Sequence, residues 1–471
     1  MKKYLKLILC LAVPLLVWII PTEWIPIQNL SVIEHRVIAL FVMAAIFWVL
    51  EPIPVYATSV LIITLELLIL SDKCFILFKE NPSVPNFGQV LDHRDIMATF
   101  ASPIILLFLG GFFLAMAATK YRLDINLARV MLKPFGQRPT MIMLGLMIIT
   151  AFFSMFMSNT ATTAMMLAIV MPVLNLFDEG DRGKVGLLLS IPFAANIGGI
   201  GTPIGTPPNA IALKYLVGAD SISFGAWMAF ATPYMIGLLL ILWFLFTLMF
   251  PFKTKEVNLE IKSQFLTNWK AITVYATFGI TIVLWLLGSY HGMNSYVVGM
   301  IPVVVFTVTQ IINREDLKRI SWDVLWLVSG GIALGFAMEE SKLSIHLIES
   351  IPFATFPPFV ILLACTGVTF ALANFMSHTA TANLILPIVA ALGANLTILE
   401  PMGGGKMLIL ATTIASSLSM ALPISTPPNA IAYSSGIIQT KDMYKIGLLI
   451  GILGLIACYG LMYILNLIGF F

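Results

Sequence analysis

Long apolar runs separated by short polar gaps dominate the chain. The first half reads 4–20, 36–50, 54–72 and 100–118, then an apolar pair around a polar tip at 140–176, an interrupted run at 184–215 and a run at 225–250. After a polar stretch at 251–269, the second half reads 270–289, 294–312 and 322–340. A short polar stretch at 341–350 follows, then a second pair around a polar tip at 356–395, a second interrupted run at 406–436 and a last run at 443–470. A helix crosses a bilayer with roughly 20 apolar residues, so most of these runs predict spanning helices. The pairs predict hairpins, and the interrupted runs predict helices broken in mid-span. Irregular backbone at that depth is tolerated only where protein or a cavity surrounds it. The stretch 120–136 differs. There Leu123, Ile125, Leu127 and Leu132 interleave with Lys and Arg, which predicts a helix lying in the interface.

The distribution of basic residues then orients the chain, because Lys and Arg gather on the cytoplasmic side. With the N-terminus inside and each hairpin returning to its own side, most of the 26 Lys and Arg fall inside, among them Lys120, Arg129, Arg138, Lys253, Lys262, Lys318 and Lys445. Counting the hairpins as full crossings scatters them. The expected fold is an all-α polytopic membrane protein with 11 transmembrane helices plus two re-entrant hairpins, its C-terminus outside.

Three motifs recur in order at an offset of 219 or 220 residues. Gly110-Gly111-Phe112-Phe113-Leu114 matches Gly330-Gly331-Ile332-Ala333-Leu334, and Met157-Ser158-Asn159-Thr160-Ala161-Thr162 matches Met376-Ser377-His378-Thr379-Ala380-Thr381. The run from Pro203 to Ala212 matches the run from Pro423 to Ala432, each containing Thr-Pro-Pro-Asn. Chance recurrence of all three is very improbable. Residues 1–35 thus carry a first transmembrane helix and 36–250 a first repeat with hairpin 140–176 and broken helix 184–215. A cytoplasmic linker, 251–269, leads to a second repeat, 270–471, with hairpin 356–395 and broken helix 406–436. The repeats have opposite orientation in the bilayer, an arrangement whose sites lie near the midplane at interrupted helices.

Composition narrows the picture. Hydrophobic residues make up 59% of the 471 and charged residues 10%, against about 25% charged in soluble proteins. The net charge of +3 gives no reason to expect nucleic acid. Cys10, Cys74, Cys365 and Cys458 lack metal spacing. The basic, apolar N-terminus resembles a signal peptide but lacks a cleavage site, and is read as a retained span.

Candidate chemistry sits at the breaks. Ser158-Asn159-Thr160 and Ser377-His378-Thr379 form the hairpin tips, and Thr206-Pro207-Pro208 and Thr426-Pro427-Pro428 the helix breaks. Ser and Thr suit an N-cap and Pro the first helical turn. Four helix N-termini at similar depth carry free N–H groups and the positive ends of dipoles, which attract anions. Carbonyls freed at the same breaks suit a small hard cation. No Lys or Arg lies near the tips, so a small anion held by dipoles, hydroxyls and co-bound cations is expected, and polyphosphates are not. The competing reading, Ser and Thr merely tying helices together, fits isolated residues better than four paired breaks.

At these residues the chain resembles the divalent anion:sodium symporter family, carriers of di- and tricarboxylates. Ser158-Asn159-Thr160 and the two Thr-Pro-Pro-Asn loops, ending at Asn209 and Asn429, carry the resemblance, with Glu51-Pro52-Ile53-Pro54 and the span layout. The resemblance implies a multi-pass protein of the bacterial inner membrane, in contact with lipid and forming a homodimer with an elevator motion. It implies sodium-coupled transport of C4 or C5 dicarboxylates, with no organic cofactor and no enzymatic activity. Substrate would be bound by Ser158, Asn159, Thr160, Ser377, His378, Thr379, Thr206, Pro207, Thr426 and Pro427. Sodium would be bound by Ser154, Ser158, Asn159 and Gly205. The second sodium site, at Ala373, Met376, His378 and Ser425, departs from the pattern: His378 replaces an Asn and Ala373 a hydroxyl residue. His378 could donate as a neutral imidazole, replace a cation when protonated, or simply pack. This departure raises sodium-independent exchange as the alternative, and a sulfate or other divalent-anion carrier is a near neighbour. A channel needs weak sites strung along a path, whereas these breaks cluster at one depth. Glu66 reads as an interfacial or helix-packing carboxylate near the outer end of its span, and Glu339 and Glu340 as residues of an exposed turn.

Overall fold

Helices form where the apolar runs predict them, and end where capping chemistry dictates. The structure is a computed structural model that describes residues 2–80, 86–174, 177, 180–257, 261, 263–350 and 352–471. The last two residues of the predicted first hairpin, 175–176, and Lys262 and residues 258–260 of the linker lie outside these. Among the described residues no strand is present beyond an isolated bridge of Ser71 with Leu91. Among the described residues seven helices are long and apolar enough by themselves to cross a bilayer: Val32–Leu50, His93–Lys120, Phe224–Met249, Trp269–Leu286, Trp322–Glu340, Pro358–Phe375 and Thr440–Leu467. Shorter apolar helices accompany them, including Val55–Ile69 and Ser295–Val308.

Several boundaries differ from the sequence expectation, the third span ending at Ile69 and the helix from Ser295 at Val308 among them. The second span begins at Val32, not 36, because Ser31 and Glu34 form a capping box: the Ser31 hydroxyl accepts from the Glu34 N–H, and the Glu34 carboxylate accepts from the Ser31 N–H at 2.7 Å. The charged trio Glu34, His35 and Arg36 hid this start from an apolar count. The polar stretch 341–350 contains a helix, Leu343–Glu349, and the interfacial stretch shortens to Leu123–Leu132.

Polar contacts between distant segments sort the helix ends onto two faces. On one face Lys120 donates to Asp316 at 2.5 Å and to the Ile311 carbonyl at 2.8 Å, and Arg182 donates to Asp442 at 3.2 Å. There too Tyr275 donates to the Tyr121 carbonyl and the Val257 N–H to the Gln137 carbonyl. On the other face Glu34 meets His346 at 2.6 Å, Gln89 donates to Glu340 at 2.8 Å and Asp72 holds His93 at 2.9 Å. The first Gly-Gly helix, Pro103–Lys120, therefore ends on the face from which its counterpart, Trp322–Glu340, departs. The chain before and after the helix pair Pro139–Ser154 and Asn159–Leu174 meets the same segment: the Gln137 carbonyl accepts from the Val257 N–H, and the Asp181 carboxylate from the N–H groups of Lys253 and Thr254.

Each Gly-Gly helix packs against a helix of the other repeat. Pro103–Lys120 lies along Ser295–Val308, and Trp322–Glu340 along Val55–Ile69. Glycine makes both approaches: a Cβ on Gly110 would fall 2.2 Å from the Gly299 carbonyl oxygen, and one on Gly330 would fall 2.3 Å from the Ser59 Cβ. The short helix after each break, Pro207–Tyr215 or Pro427–Tyr433, packs on the returning arm of the opposite hairpin. This crossing brings the four polar breaks of two distant sequence halves to one place.

Candidate functional site

The first hairpin turns at Met155–Ser158 because Ser154 closes one helix and Ser158 opens the next. The Ser158 hydroxyl accepts from the Ala161 N–H at 3.1 Å. Beside it, Ser154 Oγ lies 2.6 Å from Asn159 Oδ1 and 2.8 Å from the Ala195 carbonyl, with no exposure. One hydroxyl proton cannot serve both acceptors. The adjoining broken helix runs Gly183–Gly199, then a loop, then Pro207–Tyr215. Gly199 and Gly205 face one another across that loop so closely that a Cβ on Gly205 would fall 2.5 Å from the Gly199 carbonyl oxygen. A Cβ on Gly199 would fall 2.8 Å from Asn159 Oδ1. The oxygens of Ser154, Asn159, Ala195, Gly199 and Gly205 thus gather in a small volume without a cationic side chain. Such an oxygen set is suited to a small hard cation.

The second hairpin repeats the frame but not the oxygens. Ser377 caps the returning arm by accepting from the Ala380 N–H at 3.2 Å. Ala373 occupies the position of Ser154 and is buried without a hydroxyl. His378 occupies the position of Asn159, and its Nε2 lies 2.5 Å from the carbonyl oxygen of Ser419, the counterpart of Gly199. A carbonyl only accepts, so Nε2 carries the hydrogen. Where Asn159 presents an amide oxygen, His378 presents an N–H. Ser425 Oγ lies 2.8 Å from the Leu422 carbonyl and 3.3 Å from Asn374 O, one of which takes its proton, and it accepts from the Leu422 N–H at 3.1 Å, while Met376 is buried at the turn.

The Asn of each Thr-Pro-Pro-Asn loop stitches its break. Asn209 Nδ2 donates to the Thr202 carbonyl at 2.8 Å and reaches the Gly199 carbonyl at 3.0 Å, while Asn429 Nδ2 donates to Met420 O at 2.9 Å and Leu422 O at 3.1 Å. Thr426 caps its helix by accepting from the Asn429 N–H at 3.2 Å, but Thr206 makes no such bond. The expectation of two Thr caps therefore holds for one break.

All ten residues expected to bind substrate line one cavity of about 200 Å³: Ser158, Asn159, Thr160, Thr206, Pro207, Ser377, His378, Thr379, Thr426 and Pro427. Phe108, Gly111, Phe112 and Phe156 close its apolar side. Two polar residues that sequence reasoning missed also line it. Asn196 donates through Nδ2 to Thr426 Oγ1 at 3.2 Å and Asn429 Oδ1 at 3.1 Å, which ties the two repeats together, and its Oδ1 is buried without a partner. A lone Asn inside the apolar run 184–199 was its only signal. Asp323 is exposed at the rim in the first turn of its helix, where an acidic residue reads as ordinary helix stabilisation. Among the described lining residues there is no Lys or Arg. A site of this form, built from breaks in apolar helices of an intramolecular repeat, defines a multi-pass membrane transport protein.

Comparison with known proteins gives the family. The family model CitMHS, described as "Citrate transporter", matches residues 45–404. The sodium-dependent dicarboxylate transporter SdcS of Staphylococcus saprophyticus is 29% identical over 93% of this chain and 87% of its own length. The sodium-dependent high-affinity dicarboxylate transporter 3 of Caenorhabditis elegans is 30% identical over 86% of this chain and 78% of its own length. An uncharacterized transporter of Schizosaccharomyces pombe is 32% identical over 85% of this chain, which spans only 45% of that protein. The YdaH transporter of Alcanivorax borkumensis has a similar fold, with a TM-score of 0.51 at 12% identity over 88% of this chain and 98% of that one. The chain belongs to the divalent anion:sodium symporter family.

Proposed function

We propose that this protein carries C4 or C5 dicarboxylates such as succinate, malate, fumarate or 2-oxoglutarate, coupled to sodium, by alternating access. The observation that carries the reading is the convergence of both hairpin tips and both helix breaks on one cavity of about 200 Å³ with no Lys or Arg among its described lining residues. A dianion there meets helix N-termini, hydroxyls and an apolar wall. Its charge is balanced best by a cation held at Ser154, Asn159, Gly199 and Gly205. The related proteins named as sodium-dependent dicarboxylate transporters support the same assignment. The volume, below the 300 Å³ or so of most ligand pockets, favours a small substrate.

The architecture that accompanies this function has 11 spans and two re-entrant hairpins in inverted repeats. The hairpins and broken helices move as a unit against a scaffold held in a homodimer. With the basic face cytoplasmic, Val55 and Asp323 line the cavity from helix ends on that side, so the cavity opens inward. The location is the inner membrane of a bacterium.

Exchange of one dicarboxylate for another is a second reading, favoured by the hydrogen bond from His378 to Ser419 that fills the second oxygen cluster. Both are tested by uptake of radiolabelled succinate into proteoliposomes. Uptake into empty vesicles driven by an inward sodium gradient establishes symport. Uptake that ignores sodium and requires internal succinate establishes exchange. No uptake of succinate, malate, fumarate or 2-oxoglutarate in either condition refutes the dicarboxylate assignment. Thr160→Ala and Thr379→Ala should each weaken uptake without loss of folded protein, and normal uptake by both removes the tips from the site.

A further inference from the structure

A buried amide bridges the two repeats at the cavity, and in one direction only. Asn196 stands in the last turn of Gly183–Gly199, in the first repeat, and is 1% exposed. Its Nδ2 donates to Thr426 Oγ1 at 3.2 Å and to Asn429 Oδ1 at 3.1 Å, both in the second repeat. At the offset of 220 its counterpart is Ser416. The Ser416 hydroxyl donates to the Thr413 carbonyl at 2.8 Å, within its own helix. Thr206 therefore receives no matching bond from the second repeat.

Donor counting fixes the orientation of the bridge. Asn429 Nδ2 is committed to the carbonyls of Met420 at 2.9 Å and Leu422 at 3.1 Å. A carbonyl only accepts, so Asn429 presents its Oδ1 to Asn196. Asn196 must then present its NH2 group; turned over, it would set two amide oxygens 3.1 Å apart. This orientation leaves Asn196 Oδ1 buried without a partner among the described residues, a cost that a purely structural side chain has no reason to carry.

The same count fixes Thr426. A threonine hydroxyl has one hydrogen and two lone pairs. Thr426 Oγ1 accepts from Asn196 Nδ2 and from the Asn429 N–H, each at 3.2 Å. Both acceptor positions are filled, and among the described residues its hydrogen has no acceptor. Thr426 lines the cavity, where a carboxylate is the acceptor it lacks. A hydroxyl free to turn can offer a lone pair to an arriving anion and repel it. One whose lone pairs are both occupied can offer only its hydrogen, and a donor fixed in advance needs no reorganisation when the anion binds.

We propose that Asn196 is a positioning residue: it holds the Thr426 hydroxyl as a hydrogen-bond donor to a substrate carboxylate, a role for which Thr206 has no equivalent support. The proposal rests on the reading above that a dicarboxylate occupies this cavity. It makes the two Thr-Pro-Pro breaks unequal in substrate binding despite their identical sequence.

The test is a double-mutant cycle on succinate uptake into proteoliposomes at saturating sodium. Asn196→Ala and Thr426→Val should each raise the succinate concentration for half-maximal uptake roughly 10-fold, the weight of a hydrogen bond to a charged group, with a smaller effect on the maximal rate. Asn196→Ala/Thr426→Val should be no weaker than Thr426→Val alone, because Asn196 then has nothing left to position. Asn196→Ala/Thr206→Val should show the product of its two single effects. A merely structural Asn196 would lower the melting temperature, but its effect on half-saturation would not vanish with the Thr426 hydroxyl. Where Asn196→Ala fails to fold, Asn196→Ser, which copies the residue at position 416, takes its place. Unchanged half-saturation in Asn196→Ala, or effects of Asn196→Ala and Thr426→Val that multiply, overturns the proposal. So does an Asn196→Ala effect that vanishes equally on Thr206→Val. Wild-type vesicles that take up no dicarboxylate refute the substrate reading instead. The same cycle is then run with sulfate, and a wild type that takes up neither removes the anion site and overturns the proposal with it.

Discussion

Ser154→Ala isolates the proposed cation site from the substrate cavity, because Ser154 is not among the lining residues of that cavity. The side chain is fully buried, 2.6 Å from Asn159 Oδ1 and 2.8 Å from the Ala195 carbonyl. Removing Oγ leaves one of those acceptors unpaired, which costs about 1–3 kcal/mol of stability. A protein of this size should remain folded. In the proposed site the same oxygen would be one ligand of the cation. Losing a hydrogen bond or contact to a charged group costs about 2 kcal/mol, or roughly 30-fold in affinity. The sodium concentration for half-maximal succinate uptake should therefore rise by about that factor, while uptake at saturating sodium recovers most of its rate. Thermal stabilisation of the purified protein by sodium should shift to higher concentration in parallel. Ala373→Ser, the symmetry-related change, supplies a control: it adds an oxygen at a place where His378 already fills the cluster, and should leave sodium dependence unchanged. Equal sodium dependence of wild type and Ser154→Ala in both assays would refute the assignment of these oxygens to a cation.

Further expectations follow from single contacts. His378→Asn replaces the N–H that occupies the Ser419 carbonyl with an amide oxygen, so uptake should become more steeply dependent on sodium; an unchanged sodium curve removes His378 from coupling. Gly110→Val places a Cβ against the Gly299 backbone and should lower thermal stability by about 1–3 kcal/mol or more, whereas Gly111→Ala, whose Cβ would meet only Ile204 Cδ1 at 3.5 Å, should fold normally; equal melting temperatures would refute the close packing of the two repeats. Asp181 ties the first hairpin to the chain beyond residue 250. Burial alone would raise its pKa, but hydrogen bonds from the N–H groups of Thr254, Gly183 and Lys253 and from the Thr254 hydroxyl hold it below the ordinary carboxylate range. Its contribution is therefore present above the unfolded-state pKa and is lost as pH falls through the folded value. Asp181→Asn should destabilise the protein near neutral pH by about 2 kcal/mol and lose less stability on acidification than wild type, as read by thermal unfolding at two pH values.

The sequence by itself determined the helices and singled out ten residues that line one cavity. Apolar runs of bilayer length have few alternatives once charged residues fall to 10%, and polar tips inside them must face protein or a cavity. The offset of 219 or 220 residues paired Ser158 with Ser377 and Thr206 with Thr426 before any contact was known. Periodicity could not supply what crosses between the repeats. That the helix from Pro207 packs on the arm beginning at His378, and that Gly110 meets Gly299, depends on which surfaces fit, a property of shape rather than of pattern. The same limit explains Asn196, Asp323 and Glu66. An Asn in an apolar run, an acid in a first turn and a carboxylate near a helix end each have an ordinary local role. Only the fold sets Asn196 between two breaks, Asp323 at the rim of the shared cavity, and Glu66 fully buried where neither carboxylate oxygen finds a hydrogen-bond partner.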